Sequence, residues 1–389
     1  MTEYTVLWPA QPRSGPRPRG ARLGGAADEQ PRARVTHENL DGKQAAEAAA
    51  TPGVRLAKTV RTKLIAPVTK KSGAAEDLWG VGAVGADNSP FDGSGCRVAV
   101  LDTGIDATHP AFQGVTIEQR DFTGEGDGDG DGHGTHCAGT IFGREVEGNR
   151  IGVAPGVEQA IIGKVLDRTG GGTTRMLYDG IIWAFDQRAH IISMSIGFDF
   201  PGMVQELVDD HGWPIDLATS DALVSFREHL GLFEAVIAQV RQPLLGNSPL
   251  IVAASGNESR RDLRDDYRIA ASLPAAACDI SVGAVGRDGA RFRVAEFSNA
   301  NPLVVAPGVD IVSALPGGGL GVMSGTSMAC PHVAGIAALW AGRLRQDGEP
   351  VSAQSLKSYI EANTRRDVIV DFDRYGAVDV GRGLVSAPA

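Results

Sequence analysis

The sequence predicts an α/β protein with a doubly wound, mostly parallel sheet and helices on both faces, preceded by a basic N-terminal leader. Short Val- and Ile-rich runs alternate with helical segments along most of the chain, as in parallel strands that are buried on both faces. A hydrophobic content of 42% in 389 residues is enough to build one large core. A third observation, the Pro-, Arg- and Gly-rich composition near the N-terminus, predicts the leader.

Each predicted element follows from a local pattern. Strands are expected where apolar runs are short and bounded by turn residues, and helices where apolar residues recur at helical spacing. The segment 198–247 interrupts the alternation with a long amphipathic run, so we expect an inserted helix beside the cleft. The predicted strands are 96–102, 160–166, 190–196, 250–255 and 279–285, and the predicted helices begin at His133, span 173–187, or begin near Ser324 and Ser352.

Residues 1–72 are predicted to be a basic, partly disordered leader or pro-segment, and residues 73–389 the main domain. From Gln11 to about Ala50 the chain has few large apolar residues, which cannot offset the entropy of ordering. Residues 1–75 hold 13 lysines and arginines against 6 acidic residues, whereas the remainder holds 24 against 41. Opposite net charges favour association, so we expect the leader to be a partner of the body, and nucleic-acid binding by the body is disfavoured.

The chain carries no obvious export signal. Its first 20 residues contain no uninterrupted apolar run of signal-peptide length, and no later stretch is long and apolar enough to span a bilayer. We therefore expect a cytoplasmic protein with no membrane partner. The cysteines are too few for a secreted disulfide scaffold, and we expect buried thiols at Cys96, Cys137, Cys278 and Cys330.

Three residues at strand ends and helix starts are candidates for a nucleophilic site. Asp102 ends an apolar strand in VAVLDTGID, where a carboxylate can orient a histidine. His133 lies in DGHGTHCAG, where Gly132 and Gly134 permit close backbone approach at a loop-to-helix junction. Ser327 lies in SGTSMACPHVAG, at a helix N-terminus that can receive developing negative charge. A nucleophilic hydroxyl needs an adjacent base, and the base needs a group that fixes its tautomer.

An oxyanion needs a further donor, and Asn257 follows an apolar strand and a glycine in IVAASGNES. Its amide and the backbone N–H of Ser327 would make two donors. Taken singly, these motifs have ordinary alternatives: Asp102 could form a turn, His133 and His136 could be core histidines or metal ligands, and GTS could be a helix cap. The case for catalysis depends on all of them occurring in order.

These segments together resemble a known family. VAVLDTGIDATHP, DGHGTHCAGT and SGTSMACPHVAG are similar to the Asp, His and Ser signature blocks of the subtilisin-like serine peptidases, or subtilases, in that family's chain order. The resemblance covers about Glu76 to Val385. It implies an α/β endopeptidase that forms an acyl-enzyme on Ser327 and requires no cofactor for catalysis.

The resemblance also implies which residues bind an extended peptide substrate. P1 denotes the residue whose carbonyl is attacked, and S1 the pocket for its side chain. In the family, one strand pairs with the substrate and forms a wall of S1, a second segment forms the opposite wall, and a third covers the substrate from the other side. The matching residues are, in that order, Ser195, Ile196 and Gly197; Ala253, Ala254 and Ser255; and Gly170, Gly171 and Gly172.

Two departures from the family pattern affect these expectations. The family usually has a second glycine after the substrate-binding strand, where this chain has Phe198 and then the insertion, so the mouth of S1 is expected to be covered or reshaped. The acid that helps to hold the family's strong calcium site is replaced by Ala111, after Pro110. Structural calcium is still an option, but we expect that site to be absent or altered.

The loop GEGDGDGDGH places Asp127, Asp129 and Asp131 at two-residue spacing, which superficially resembles a calcium loop. The glutamate that should close such a loop is missing, so we favour a solvated loop and predict no metal site. Asp131 lies two residues before His133, where subtilases position a side chain over the S2 subsite. A carboxylate there is expected to attract Lys or Arg at P2.

The predicted function is that of a serine endopeptidase with a peptide or protein substrate. One hypothesis is self-cleavage at Lys70-Lys71, which would remove the leader, and the equally weighted alternative is that both lysines only solvate a linker. A peptide transferase or macrocyclase, in which an amine intercepts the acyl-enzyme, stays open because the insertion could shield the cleft. A non-catalytic scaffold is the third candidate, and the intact site residues argue against it.

Overall fold

The structure is a computed structural model that describes residues 1–10, 33–72, 78–241 and 249–389. It divides into two compact units. The first unit comprises Met1–Thr59 and Met203–Gln239, and the second comprises Val60–Gly202 and Val240–Ala389. The sequence placed the boundary near Ser72, whereas the division in the structure falls after Thr59 and groups most of the insertion with the N-terminal residues.

Strands and helices alternate along most of the described chain. The strands are Thr2–Trp8 (β1), Arg34–Leu40 (β2), Arg55–Lys58 (β3), Arg61–Leu64 (β4), Thr69–Ser72 (β5), Arg97–Asp102 (β6), Thr116–Asp121 (β7), Glu145–Val146 (β8), Asn149–Arg150 (β9), Gln159–Lys164 (β10), Gly171–Thr173 (β11), Ile191–Met194 (β12), Ile196–Phe198 (β13), Leu250–Ala254 (β14), Ile280–Asp288 (β15), Arg291–Val294 (β16), Val304–Pro307 (β17), Ile311–Leu315 (β18) and Gly319–Ser324 (β19). The helices are Gly42–Ala50 (α1), Trp79–Ala83 (α2), His133–Phe142 (α3), Thr174–Asp186 (α4), Phe200–Asp209 (α5), Ile215–Val240 (α6), Leu273–Ala277 (α7), Thr326–Gln346 (α8), Ala353–Ala362 (α9) and Phe372–Val380 (α10).

The first unit contains a small antiparallel sheet in which β1 pairs with both β2 and β3. A capping box starts α1, because Asp41 accepts from the backbone N–H of Gln44 while the Gln44 side chain accepts from the backbone N–H of Asp41. We expected a mobile segment over Arg34–Ala50, but the structure has a strand and a helix there. Pairing of β2 with β1 and the capping box of α1 order this range, and neither can be read from composition. The part of that expectation that concerns residues 11–32 lies outside the described residues.

The insertion contributes the helix that the sequence predicted, now bounded as α6. Within the first unit, α6 contacts the end of β3 through two side chains. Asp221 lies 3.3 Å from the ammonium of Lys58, and Nε2 of His229 lies 2.7 Å from the backbone carbonyl of Lys58. Burial lowers the pKa of His229 to about 4, so its neutral ring donates this hydrogen bond at pH 7.

The second unit is organised around an eight-stranded sheet with the order β16-β15-β14-β12-β6-β10-β7, and β17 also pairs with β15. Every pairing in it is parallel except that of β15 with β16, so the predicted mostly parallel α/β fold is confirmed. β10 and β7 lie on one side of β6, and β12 and β14 on the other. The strand order therefore reverses at β6, and the carboxyl end of such a strand is where α/β sheets bind ligands.

Helices cover both faces of this sheet. Val98 and Val100 of β6 belong to the main core cluster, together with residues of α3 and α8. Leu101 faces the other way: a Cβ built on Gly180 of α4 would lie 3.5 Å from its side chain. Because successive side chains of a strand point to opposite faces, α3 and α8 lie on one face and α4 on the other.

All four cysteines are free thiols; Cys96, Cys137 and Cys330 are buried, and Cys278 is only partly buried. Within the described ranges, no helix has the length and apolar character that a membrane span needs.

Candidate active site

Asp102 is the last residue of β6 and is buried at the point where the strand order reverses. Its Oδ1 accepts a hydrogen bond from the backbone N–H of Thr103 at 2.8 Å and lies 2.7 Å from Nδ1 of His133. The sequence motif thus places the carboxylate as expected, because a strand that ends at the crevice projects its last side chain there.

His133 is the first residue of α3, and its backbone position depends on two glycines. Gly132 has a φ of 96°, a left-handed conformation that favours glycine, and a Cβ on Gly134 would collide with the carbonyl of Gly104. Burial by itself would lower the pKa of His133, but the charge of Asp102 and the hydrogen bond to it outweigh burial and raise that pKa above its ordinary value of 6.5.

Asp129 is a positioning residue that sequence reasoning missed. Its two oxygens accept hydrogen bonds from the hydroxyl of Thr103 at 2.8 Å, from the backbone N–H of Gly132 at 2.7 Å, and from both the N–H and hydroxyl of Thr135. The carboxylate therefore ties the residue after Asp102 to the helix start that carries the histidine. The prediction of a solvated loop is therefore wrong for Asp129. Its fixed spacing from HGT, which begins at His133, could have indicated a role in holding the start of α3.

Ser327 is buried in the first turn of α8, where backbone N–H groups have no helical acceptor. Asn257 lies beside it, and its Oδ1 accepts from the N–H of Thr326 at 2.8 Å and from the Thr326 hydroxyl at 2.9 Å. These two bonds fix the amide orientation, so that Nδ2 of Asn257 is the group that faces away from the helix and can donate.

The cleft beside Ser327 is occupied by residues 60–72 of the same chain and the same unit. β4 lies between β11 and β13 and pairs antiparallel with both. The N–H of Leu64 donates to the carbonyl of Gly170 at 2.8 Å, and the N–H of Ile65 donates to the carbonyl of Ser195 at 3.1 Å. The structure therefore brings six predicted substrate-binding residues onto one bound strand: Gly170, Gly171, Gly172, Ser195, Ile196 and Gly197.

Two successive carbonyls of this segment contact the candidate catalytic groups. The hydroxyl of Ser327 donates to the carbonyl of Ile65 at 2.7 Å, while Nδ2 of Asn257 donates to the carbonyl of Ala66 at 2.9 Å. In acyl transfer, the nucleophile must attack the carbon whose oxygen receives the oxyanion donors. Because Ser327 and Asn257 contact different carbonyls, neither peptide bond is arranged for attack.

A sequence model of the protein family described as "Subtilase family" matches residues 93–377. This range contains the four candidate residues Asp102, His133, Asn257 and Ser327. The chain belongs to the subtilase family. It is a subtilisin-like serine endopeptidase, and therefore a hydrolase.

Several curated relatives align with about two thirds of the length of this subtilase. The "Intracellular serine protease" of Paenibacillus polymyxa is 40% identical over 64% of this chain and 67% of its own length. The "Major intracellular serine protease" of Bacillus subtilis is 35% identical over 68% of this chain and 72% of its own. "Subtilisin E" of Bacillus subtilis is 35% identical over 64% of this chain and 56% of its own.

Asp131 contacts a different part of the bound segment from the one expected. Its Oδ1 caps the backbone N–H of His133 at 3.1 Å and lies 3.2 Å from the ammonium of Lys70, whose Nζ also donates to the Asp131 carbonyl at 2.7 Å. Counting from Ile65 as P1, Leu64 is P2, and Lys70 lies five residues after Ile65 in the chain. The observed partner of Asp131 is thus a lysine on the carboxyl-terminal side of Ile65 and not the P2 residue.

The side chain of Ile65 lies against one of the predicted walls of S1 in this subtilase. Ile65 is 2% exposed, and a Cβ built on Gly197 would lie 3.5 Å from it and 4.0 Å from Ser272. Of the residues assigned to the opposite wall, Ala253 and Ala254 end β14 and Ser255 follows them, and all three are buried. Ala254 belongs to the same core cluster as Ile65. Phe198 follows Gly197 on β13 and pairs with Thr62.

The described residues contain one group of side chains close enough to share a metal ion, formed by Asp102, His133 and Cys137. Burial raises the pKa of the Cys137 thiol well above its ordinary value, so this sulfur is a poor ligand at neutral pH. Burial also lowers the pKa of His136 to about 3, and its Nε2 lies 3.0 Å from the carbonyl of Ile311, as in a structural core histidine.

The buried methyl of Ala111 offers no oxygen ligand, so this position does not fit the family's calcium site.

Proposed function

We propose that Asp102, His133 and Ser327 form the catalytic triad of this endopeptidase. His133 takes the proton from the Ser327 hydroxyl while Oγ attacks the peptide carbonyl, and Asp102 stabilises the imidazolium that forms. The N–H of Ser327 and Nδ2 of Asn257 receive the oxyanion. The imidazolium then gives its proton to the leaving amine, and water repeats the sequence on the acyl-enzyme with His133 again as the base.

One observation carries this proposal: an extended segment lies on the predicted substrate-binding residues with one carbonyl, that of Ile65, on the hydroxyl of Ser327. A surface that binds backbone by strand addition accepts peptides. The buried Asp102–His133 pair supplies the base, and Cys137 links this pair to Ser327, because its Sγ lies 3.7 Å from Nδ1 of His133 and 3.3 Å from the Ser327 carbonyl. The same geometry supports a peptide or protein substrate in extended conformation.

The test combines an active-site label with the mass of the product. A fluorophosphonate should form one adduct, on the peptide that contains Ser327, and cleavage of a peptide in H₂¹⁸O should place ¹⁸O in the new carboxylate. A ligated or cyclic product without ¹⁸O would favour the peptide transferase alternative. The absence of both adduct and cleavage in a chain whose cleft is open would favour the non-catalytic scaffold.

We infer further that residues 60–72 inhibit the enzyme in cis. The segment covers the nucleophile, and its contacts with Ser327 and Asn257 are split between two carbonyls, so it resists cleavage where it lies. Pro67 follows Ala66 and offers no N–H to the cleft, whereas Val68 donates to the carbonyl of Ser324 at 2.7 Å. Access of other peptides therefore requires the segment to leave.

Replacing Ile65 with aspartate should open the cleft. An unpaired carboxylate at a position that is 2% exposed costs about 2 kcal/mol or more, so the segment should detach and fluorophosphonate labelling should become at least about tenfold faster. Val68→Asp places the same charge on the same segment at a position that is 54% exposed, and it should label at nearly the wild-type rate. Equal labelling rates in wild type and Ile65→Asp, both folded by thermal melting, would show that the segment does not obstruct the site.

Self-processing at Lys70-Lys71 stays a prediction. Both lysines lie on β5, which pairs with β19, and they are five and six residues beyond Ile65. Cleavage between them would therefore need the segment to move or a second molecule to act. N-terminal sequencing of active protein tests this hypothesis, and a fully active wild-type enzyme that retains residues 1–71 would end it.

We also propose a cytoplasmic location, which is supported by the names of two relatives and by four free thiols. Cell fractionation tests it. Catalysis without a cofactor is likewise a proposal, and undiminished peptide hydrolysis after treatment with a chelator is the result expected.

A further inference from the structure

We propose that Asp199 makes this subtilase select peptides with Lys or Arg at P3, two residues before P1. This inference rests on the proposed function, because it treats residues 62–65 as a substrate bound from P4 to P1. It names a specificity residue just after β13, at a position where the sequence had indicated only that Phe198 and the insertion reshape the cleft.

The register of the bound strand assigns the subsites. Ile65 is P1 because its carbonyl contacts Ser327, and Lys63 is therefore P3. Lys63 pairs with Gly171 on one side and with Gly197 on the other, so its backbone is fixed by two ladders. A residue at P3 of any peptide bound in this way would start its side chain from the same place.

The carboxylate of Asp199 lies at the end of that side chain. Its Oδ1 is 2.9 Å from the ammonium of Lys63. The same oxygen accepts from the backbone N–H of Gly202 at 3.2 Å, and a Cβ on Gly202 would collide with the carboxylate. Glycine at this position thus lets the carboxylate sit against the first turn of α5, where it is held ready for a cation.

The expected selectivity is moderate. The side chains of Lys63 and Asp199 are 41% and 36% exposed, so water and salt screen their attraction. An ion pair of this kind should favour Lys over Glu at P3 by roughly threefold to tenfold in kcat/KM. Because the contact is exposed, the preference should shrink as the salt concentration rises.

The first test compares Thr-Lys-Leu-Ile and Thr-Glu-Leu-Ile 4-nitroanilides. The full-length chain is incubated until its rate is constant, and its accessible sites are titrated with a fluorophosphonate. Wild type should prefer the Lys substrate, Asp199→Asn should cleave both about equally, and Asp199→Lys should prefer the Glu substrate. Asp262→Asn is the matched control, since Asp262 is 38% exposed and pairs with Arg260, and it should keep the wild-type ratio.

A charge swap tests the same contact within the chain. Lys63→Glu should speed fluorophosphonate labelling by loosening the bound segment, and adding Asp199→Lys should return the rate towards wild type. Two results together would overturn the assignment of Asp199 in enzymes that label and cleave. The ratio of kcat/KM for the Lys and Glu substrates would be unchanged in Asp199→Lys, and the double variant would label as fast as Lys63→Glu alone. Failure of all variants, including Ile65→Asp, to label or to cleave would instead overturn the proposed function.

Discussion

Replacing Ser327 with alanine should remove both fluorophosphonate labelling and peptide hydrolysis. The alanine keeps the helix start, the proposed oxyanion donors and the Asp102–His133 pair but lacks the hydroxyl that we propose forms the acyl-enzyme. The fall in kcat should be on the order of 10⁶-fold, which is the magnitude known for loss of the nucleophilic serine in subtilisin itself. Hydrolysis of a peptide anilide in the Ile65→Asp background checks it, with kcat for Ser327→Ala referred to total folded protein and kcat for the parent referred to sites titrated with the fluorophosphonate.

Ser193→Ala is a suitable control for that experiment. Ser193 is also a buried serine of the second unit, but it lies on β12 and its hydroxyl contacts Cys330. Loss of this hydroxyl should leave labelling intact. Hydrolysis that persists in Ser327→Ala after purification from any contaminating peptidase would mean that another group is the nucleophile.

Replacing Asp102 with asparagine should lower kcat by a factor on the order of 10⁴, again a magnitude known for serine peptidases of this mechanism. The buried carboxylate accepts from Nδ1 of His133 and so leaves Nε2 to act as the base. Asparagine can donate its own N–H to Nδ1, which favours the wrong tautomer of the imidazole. It also removes the negative charge that stabilises the imidazolium.

The pH profile separates this role from a merely structural one. His133 must be neutral to act as a base, so kcat/KM rises with pH as the imidazolium loses its proton. In the wild type, Asp102 raises the pKa of His133, and the acid limb should lie above pH 6.5. In Asp102→Asn, burial is no longer outweighed, so the pKa falls and the residual activity should extend to lower pH.

The control for this profile is Asp262→Asn, which removes one exposed negative charge from the second unit and should leave the acid limb in place. An acid limb that stays above pH 6.5 in Asp102→Asn would mean that Asp102 does not set the pKa of the base.

The sequence could predict the candidate site because the proposed chemistry lies in short local motifs. Asp102 ends a strand, His133 begins a helix after a left-handed glycine, and Ser327 lies in the first turn of another helix. Each placement depends on residues within a few positions along the chain. The parallel sheet was predictable for the same reason, since strands that alternate with helices along the chain indicate βαβ units, in which neighbouring strands run parallel.

Tertiary structure decided what lies in the cleft. Residues 61–64 form a short segment in which only Leu64 is apolar, and no local pattern marks it as a substrate-like strand. The segment becomes one by pairing with β11 and β13, more than 100 residues away along the chain. Composition predicted that this region belongs to a leader, but it could not reveal that Asn257 and Ser327 contact two different carbonyls.

For the charged residues around the site, too, the sequence predicted some features and only the tertiary structure decided others. By itself, the sequence determined the fold class, the candidate triad and the oxyanion asparagine, because these follow from local periodicity and from motifs of fixed spacing. It could not determine the partners of Asp129, Asp131 and Asp199, since each partner is set by long-range strand register or by loop closure. Only the folded chain brings Lys63 to Asp199 and Lys70 to Asp131, because both lysines lie on strands that pair with distant parts of the sequence.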